Sequence, residues 1–400
     1  MLAQALTAFN QNALRSALLA LATFRGLSAF GWSTETVVGI STILVTAPFF
    51  LFSILAGRLA DIRPKAALIR WIKAVEIPLY GLGALGLLTT NLPLLLTVLL
   101  FTGIATTLLG PAKFGILPEI VARESLMRAN SWMSATNTVA ILVGLIVGSL
   151  MMDALPYLAA LGCGVAVLGW LVSRGIRDDG EAAPAESHGT LWQDHLRVFE
   201  RLKLLPAVAV PVLGCSWFWF QGALNTTILP LLVANLTDRP SEALSLLFIV
   251  TTVGVVVGAL GARFLRMSAA HPAILLAVFV AIALLAVDVG LASPLTGQAG
   301  LVRLAVDLFV ISIGTGFYLV PLTTALQVLA PAGERARFIG INHTLNGLAM
   351  MLAGVAVLLF NALQVSTTQL LVGICVVTSV VAAWSLTATL SATARQQPAG

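Results

Sequence analysis

The chain has 400 residues, of which 58% are hydrophobic and only 10% charged, and its mean hydropathy is +0.98. Soluble domains hold roughly 45–50% apolar and about 25% charged residues, so an ordinary soluble fold is excluded and the chain is expected in a bilayer. A net charge of +5 does not point to nucleic acid, because the basic residues sit between hydrophobic runs rather than on a soluble face with interleaved aromatics; anionic membrane lipids are the expected counter-surface.

A membrane-crossing helix needs about 20 mostly apolar residues. Twelve runs meet that length: 2–25, 36–57, 67–89, 92–115, 129–152, 154–174, 206–235, 242–264, 270–293, 299–329, 337–363 and 367–392. The first lacks a positively charged leader and is too long for a signal core, so it reads as a retained helix. It carries Gln11, Asn12 and Arg15, with Gln11 and Arg15 four apart on one helical face. An arginine near a helix centre costs about 2.5–3.5 kcal/mol on insertion scales and persists mainly where it meets water or a partner. A phosphate suits its bidentate fork; a structural pair with an acid on a neighbouring helix is the alternative.

The connection after the second run reads Gly57-Arg58-Leu59-Ala60-Asp61-Ile62-Arg63-Pro64-Lys65. The glycine is expected to permit close helix approach, and the acid to face a helix end or a basic residue. In the third run Lys73 and Glu76 are three apart and are expected to form a structural charge pair. The fourth closes on Gly110-Pro111-Ala112-Lys113-Phe114-Gly115-Ile116-Leu117-Pro118-Glu119, an apolar helix ended by a cation. Asn130, Ser134 and Asn137 form a polar stripe on the fifth, where Gly144 and Gly148 allow close packing within the bundle.

A polar stretch, residues 177–204, divides the chain into a six-helix bundle over 1–176 and a second over 205–400. It opens as a linker and passes into a segment where Leu191, Trp192, His195, Leu196, Phe199 and Leu202 recur at helical spacing opposite Asp194, Arg197, Glu200 and Arg201. That is the pattern of an amphipathic helix on the cytoplasmic membrane surface. His188 and His195 are expected to be solvated, and Cys163, Cys215 and Cys375 to be buried spectators; no disulfide, metal or cofactor is implied.

In the second half, the seventh run carries Gln221 and Asn225, and the eighth the close-packing pair Gly254 and Gly258. Asp288 and Asp307 are expected at the outer ends of the ninth and tenth runs, reaching the head-group region, with Arg303 one turn from Asp307. The eleventh presents Asn342 and Asn346 on one face. Pro111, Pro118, Pro230 and Pro321 are expected to interrupt their helices.

With the N-terminus inside, Lys and Arg concentrate in the inward connections and leave only Arg25, Arg239 and Arg303 outside, so both termini are expected in the cytoplasm. The halves echo each other. Gln11-Asn12-Ala13-Leu14-Arg15-Ser16 is answered by Gln221-Gly222-Ala223-Leu224-Asn225-Thr226, and Arg128 precedes Asn137 by the same nine positions that separate Arg337 from Asn346. Parallel six-helix repeats of this kind are the arrangement of major facilitator transporters, whose substrate sites lie between the halves near the midplane. The expected fold is therefore all-α, with twelve transmembrane helices in two parallel repeats.

The Gly57–Lys65 connection resembles the signature loop of that superfamily, with Pro64 where a glycine normally stands. The resemblance implies that Gly57, Asp61, Arg63 and Lys65 serve gating on the cytoplasmic side. Within the superfamily, Ala8-Phe9-Asn10-Gln11-Asn12-Ala13-Leu14, Pro111-Ala112-Lys113-Phe114-Gly115-Ile116-Leu117 and Val320-Pro321-Leu322-Thr323-Thr324-Ala325-Leu326-Gln327 resemble the bacterial lysophospholipid transporter family. Members carry lysophospholipids from the periplasmic to the cytoplasmic leaflet of the inner membrane, where an acyltransferase restores the second chain. By resemblance Lys113 and Lys73 match family lysines, whereas Gln11, Asn225 and Asn346 stand where the family typically has charged residues. The chain also lacks the His-Asp pair of such acyltransferases, since His188 and Asp194 are six apart rather than five; no enzymatic activity is expected.

Three readings follow. The leading one is a lysophospholipid transporter with the phosphate near Arg15 and Lys113, and Gln11, Asn12, Asn137, Gln221, Asn225, Asn342 and Asn346 lining a wet cavity. The second is an exporter of drugs or other small amphiphiles. The third is a non-transporting partner that docks a cytoplasmic acyltransferase near Trp192.

Overall fold

The computed structural model describes residues 1–120, 126–176, 200, 202–203, 205–234, 236–262, 297–330 and 335–396. Among these the only regular structure is helical. The first half holds α1 (Leu2–Phe24), α2 (Thr34–Leu51), α3 (Ser53–Ile62), α4 (Lys65–Leu88), α5 (Leu92–Gly115), the short α6 (Leu117–Ile120), α7 (Leu126–Leu150) and α8 (Leu155–Arg174). The second holds α9 (Pro206–Val233), α10 (Pro240–Ala262), α11 (Gly297–Leu329), α12 (Arg335–Ala362) and α13 (Thr367–Gln396).

Ten of these helices are long and apolar enough to cross a membrane. α1 has the length but falls short in apolarity, because Gln4, Asn10, Gln11, Asn12 and Arg15 dilute it. The expected ninth run, 270–293, and all of the expected surface helix but its last residues, Glu200 and Leu202, lie outside the described residues.

Two expectations are corrected. The second run is not one helix: α2 ends at Leu51 and α3 starts at Ser53, with Phe52 between them at φ −114° and ψ 0°. Pro48 stands one turn earlier and has no N–H to offer Leu44 O. Gly103 on α5 leaves room there, since a Cβ would sit 2.8 Å from Val45 O and 3.3 Å from Leu44 O. Nor do three of the four prolines interrupt: α5, α9 and α11 run through Pro111, Pro230 and Pro321, whereas Pro118 stands in the first turn of α6, just past the break at Ile116. Each proline removes one ladder bond, which neighbouring helices can offset.

The chain forms two compact units, Met1–Asp194 and His195–Gly400. In the first, α1 packs on α2, α5, α7 and α8. Gln4 Nε2 donates to Met133 O (2.8 Å) and Ser16 Oγ to Leu145 O (2.7 Å), so α1 and α7 run parallel in a constant register. Gly144 and Gly148 make that approach possible, because a Cβ at either would lie 2.4 Å from Phe9 O or 2.2 Å from Ala13 O.

In the second unit α9 takes the equivalent neighbours, α10, α11, α12 and α13. Gly254 and Gly258 on α10 face Phe309 O and Ile313 O of α11, and Gly316 returns the contact against Val255 O. That last contact matches the one Gly103 makes with α2. Tyr318, 1% exposed, donates its hydroxyl to Gly214 O (2.9 Å) and accepts from Ser385 Oγ (3.1 Å), so one side chain joins α9, α11 and α13. Tyr318→Phe leaves Gly214 O without this donor in a dry interior, at an expected cost of about 1–3 kcal/mol. A fall in the melting temperature of the purified protein, with the fold retained, is the readout.

Candidate functional site

In the first unit the spacing of Gln11 and Arg15 brings both to one buried face of α1, each 7% exposed. Arg15 Nη2 donates to Thr42 Oγ1 on α2 (3.2 Å), and Thr106 Oγ1 on α5 donates to Gln11 Oε1 (3.1 Å). Gln11 Nε2 has no hydrogen-bond partner among the described residues. Three helices thus assemble a polar cluster around a guanidinium.

Lys113 is not part of that cluster. It lies seven residues beyond Thr106 on the same helix, about 10 Å along the axis at 1.5 Å per residue, and is half-buried. Asn12 turns away, its Nδ2 donating to Ala8 O of its own helix (2.8 Å). Asn137 is half-buried on α7, while the side chains of Asn130 and Ser134 lie outside the described residues.

Lys73 and Glu76 meet through Nζ and Oε2 at 2.8 Å, 0% and 2% exposed. Thr7 Oγ1 on α1 donates to Glu76 Oε1 (2.8 Å) and accepts from Lys73 Nζ. Gly169 on α8 supplies the slot, since a Cβ there would lie 3.0 Å from Nζ. Tyr80, one turn further along α4, is buried with a hydroxyl that has no partner among the described residues.

At the connection leading into α4 the close approach expected of Gly57 is absent: nothing described lies within 4 Å of a Cβ placed there. The close contact is made by Lys65 instead, whose Cε would lie 3.0 Å from a Cβ at Gly115. Arg63 is exposed, and the Asp61 side chain lies outside the described residues.

In the second unit Asn346 Oδ1 accepts from Ser216 Oγ (3.0 Å), joining α12 to α9. Gln221 is 1% exposed, and neither its Oε1 nor its Nε2 has a partner among the described residues. The same holds for Oδ1 of Asn225 and of Asn342. Asp307 is corrected from the head-group region to the interior, 3% exposed within α11. Among the described residues no group of His, Cys, Asp and Glu is arranged to hold a metal, and Cys163 and Cys215 are free thiols.

Thr42 and Thr106 were invisible to the sequence reading. A threonine in an apolar helix can satisfy its hydroxyl on its own backbone, as Thr42 also does on Val38 O (3.1 Å). Asn10, 3% exposed and bonded to Gly162 O (2.8 Å), was overlooked for its more suggestive neighbours.

Multiple apolar spans, repeated helix neighbours and polar side chains buried inside the spans define a multi-pass membrane protein with a polar interior. Residues 1–354 match the Major Facilitator Superfamily, and the chain belongs to it. It is similar to the lysophospholipid transporter LplT of Shigella flexneri serotype 5b, with 28% identity over 335 residues covering 81% of this chain and 78% of that protein. The LplT of Photorhabdus laumondii subsp. laumondii is 25% identical over 350 residues, covering 82% and 78%. In three dimensions a POT family transporter in complex with 5-aminolevulinic acid superimposes with a TM-score of 0.71 at 13% identity, covering 98% of this chain and 95% of that one.

Proposed function

We propose that this protein moves lysophospholipids across the bacterial inner membrane by alternating access, towards the cytoplasmic leaflet for re-acylation. Both termini are then cytoplasmic, and a cytoplasmic acyltransferase consumes the delivered lipid. One observation carries the reading: a buried arginine held among Gln11, Thr42 and Thr106 in the middle of a membrane helix. A cation persists inside a membrane helix where it meets water or a polar partner, and a guanidinium fork suits a phosphate. The similarity to LplT supports a lysophospholipid as the bearer of that phosphate.

In this reading Lys113 meets the phosphate nearer the cytoplasmic end, Asn137 belongs to the lining, and the acyl chain follows apolar walls. The connection with Gly57, Asp61, Arg63 and Lys65 closes the inner side.

The test is uptake of labelled lysophospholipid by proteoliposomes containing the purified chain. Hydrogen bonds to charged groups contribute about 1.5–3 kcal/mol, so Arg15→Ala is expected to lower uptake at least about ten-fold. Arg15→Lys restores charge without the fork and is expected to fall between. Undiminished uptake in both Arg15→Ala and Lys113→Ala removes these cations from the mechanism. Transport of drug-like amphiphiles that lysolipid does not compete with selects the exporter reading.

A further inference from the structure

Among the described residues of the second unit the least satisfied side chain is Gln221, with neither amide atom partnered. A buried amide that makes no hydrogen bond costs roughly 1–3 kcal/mol per group, and such groups in folded proteins call for an explanation. Asn225 stands one turn beyond it on α9, on the same face, with its Oδ1 also without a partner among the described residues. By contrast Asn346, lower on the neighbouring α12, is met by Ser216 (3.0 Å). Three of these atoms, both of Gln221 and Oδ1 of Asn225, lie on one stretch of α9, and Oδ1 of Asn342 on α12 is a fourth, so the set consists of amide oxygens plus one amide nitrogen.

Such atoms ask for a group that both donates and accepts hydrogen bonds. A hydroxyl does both; a quaternary ammonium does neither. A primary ammonium donates, but brings a full charge that is costly in a dry interior without a counter-charge. α9, α12 and α13 contain no acid at all. Of the other helices packed on α9, α10 has Glu242 in its first turn and α11 has Asp307, with Arg303 one turn away on the same helix. Glu242 pairs with Arg239 just before α10 (3.5 Å), and with Arg303 counted the two acids are matched by two bases, so the surroundings carry no surplus negative charge for an ammonium to meet.

We infer that Gln221 and Asn225 form a subsite for the hydroxyls of a neutral polyol head, so that the cargo is a lysolipid with a glycerol-type head group in preference to an amine-bearing one. The inference rests on the lysophospholipid reading and adds the head-group class to it. The buried face is reached when the transport cycle opens it.

The experiment uses the full chain in proteoliposomes and three probes with one acyl chain: lysophosphatidylglycerol, lysophosphatidylethanolamine and lysophosphatidylcholine. Initial rates are measured for the wild type, Gln221→Leu, Gln221→Asn and Asp307→Asn, each first checked to be monodisperse. The wild type is expected to move lysophosphatidylglycerol about ten-fold faster than either amine, the value of one well-made hydrogen bond. Gln221→Leu abolishes that ratio by slowing the glycerol lipid alone, Gln221→Asn retains part of it, and Asp307→Asn leaves it unchanged.

Equal wild-type rates, or a ratio that survives Gln221→Leu, overturn the subsite while leaving lysolipid transport intact. A faster rate for the ethanolamine lipid that collapses in Asp307→Asn overturns it in favour of ammonium recognition. If none of the three lipids moves, the lysophospholipid reading itself falls and the subsite falls with it.

Discussion

Valine at Gly148 is expected to abolish the folded first unit. Normal carbon–oxygen contact begins at about 3.3 Å, whereas even the Cβ of an added side chain would sit 2.2 Å from Ala13 O and 2.9 Å from Ala13 Cα. The obstacle is main chain at the centre of α1, so no rotamer change relieves it. α1 and α7 must separate, and with them go the bonds from Gln4 to Met133 O and from Ser16 to Leu145 O. Overpacking that side chains absorb costs about 1–3 kcal/mol; here the expected cost exceeds that range. Gly258→Val is the matching experiment in the second unit, where Ile313 O lies 1.9 Å from the added Cβ. Gly164→Val is the control, because nothing lies within 4 Å of a Cβ there. The monodisperse fraction on size exclusion should collapse for the first two and hold for the third.

Removing one partner of the Lys73–Glu76 pair produces the second large effect. Each ion is less than 3% exposed, at 2.8 Å from the other, with Thr7 bridging them. Lys73→Met strands a carboxylate in the interior and Glu76→Leu strands an ammonium; breaking a buried pair in this way costs about 3–5 kcal/mol. The double variant Lys73→Met/Glu76→Leu removes both charges and is expected to recover most of the lost stability. Thr7 keeps an acceptor in it, Ala3 O at 3.4 Å. Thermal melts of the four proteins measure the coupling directly. Transport by the double variant then separates a packing device from a step of the cycle: retained uptake assigns the pair to structure, and lost uptake in a stable protein assigns it to function.

Most of the helical plan was legible in one dimension, because a bilayer imposes a length on every apolar run. The 92–115 run matches α5 residue for residue, and the first run differs from α1 by one residue at its end. The break at Phe52 was not legible, since the apolar pattern continues across it and only the backbone angles reveal it. For the candidate site, a spacing of four placed Gln11 and Arg15 on one face, but the partners Thr42 and Thr106 belong to other helices and leave no periodic trace. Asp307 was misjudged for a related reason: distance from a helix end fixes depth, whereas burial depends on which neighbour covers that side. The glycines of α7 and α10 were recognisable by spacing, yet the carbonyls they face emerged only from the folded chain.

The stem of Lys65 rests on Gly115, two residues past Lys113, and Ala60, Ala66, Ala112 and Ile116 fill the same hydrophobic cluster beneath it. The proposed head-group cation and the loop at the inner mouth are consequently mounted on a single bracket. If a lipid phosphate binds Lys113 as proposed, the strain is expected to reach the inner connection through the contact between the Lys65 stem and Gly115.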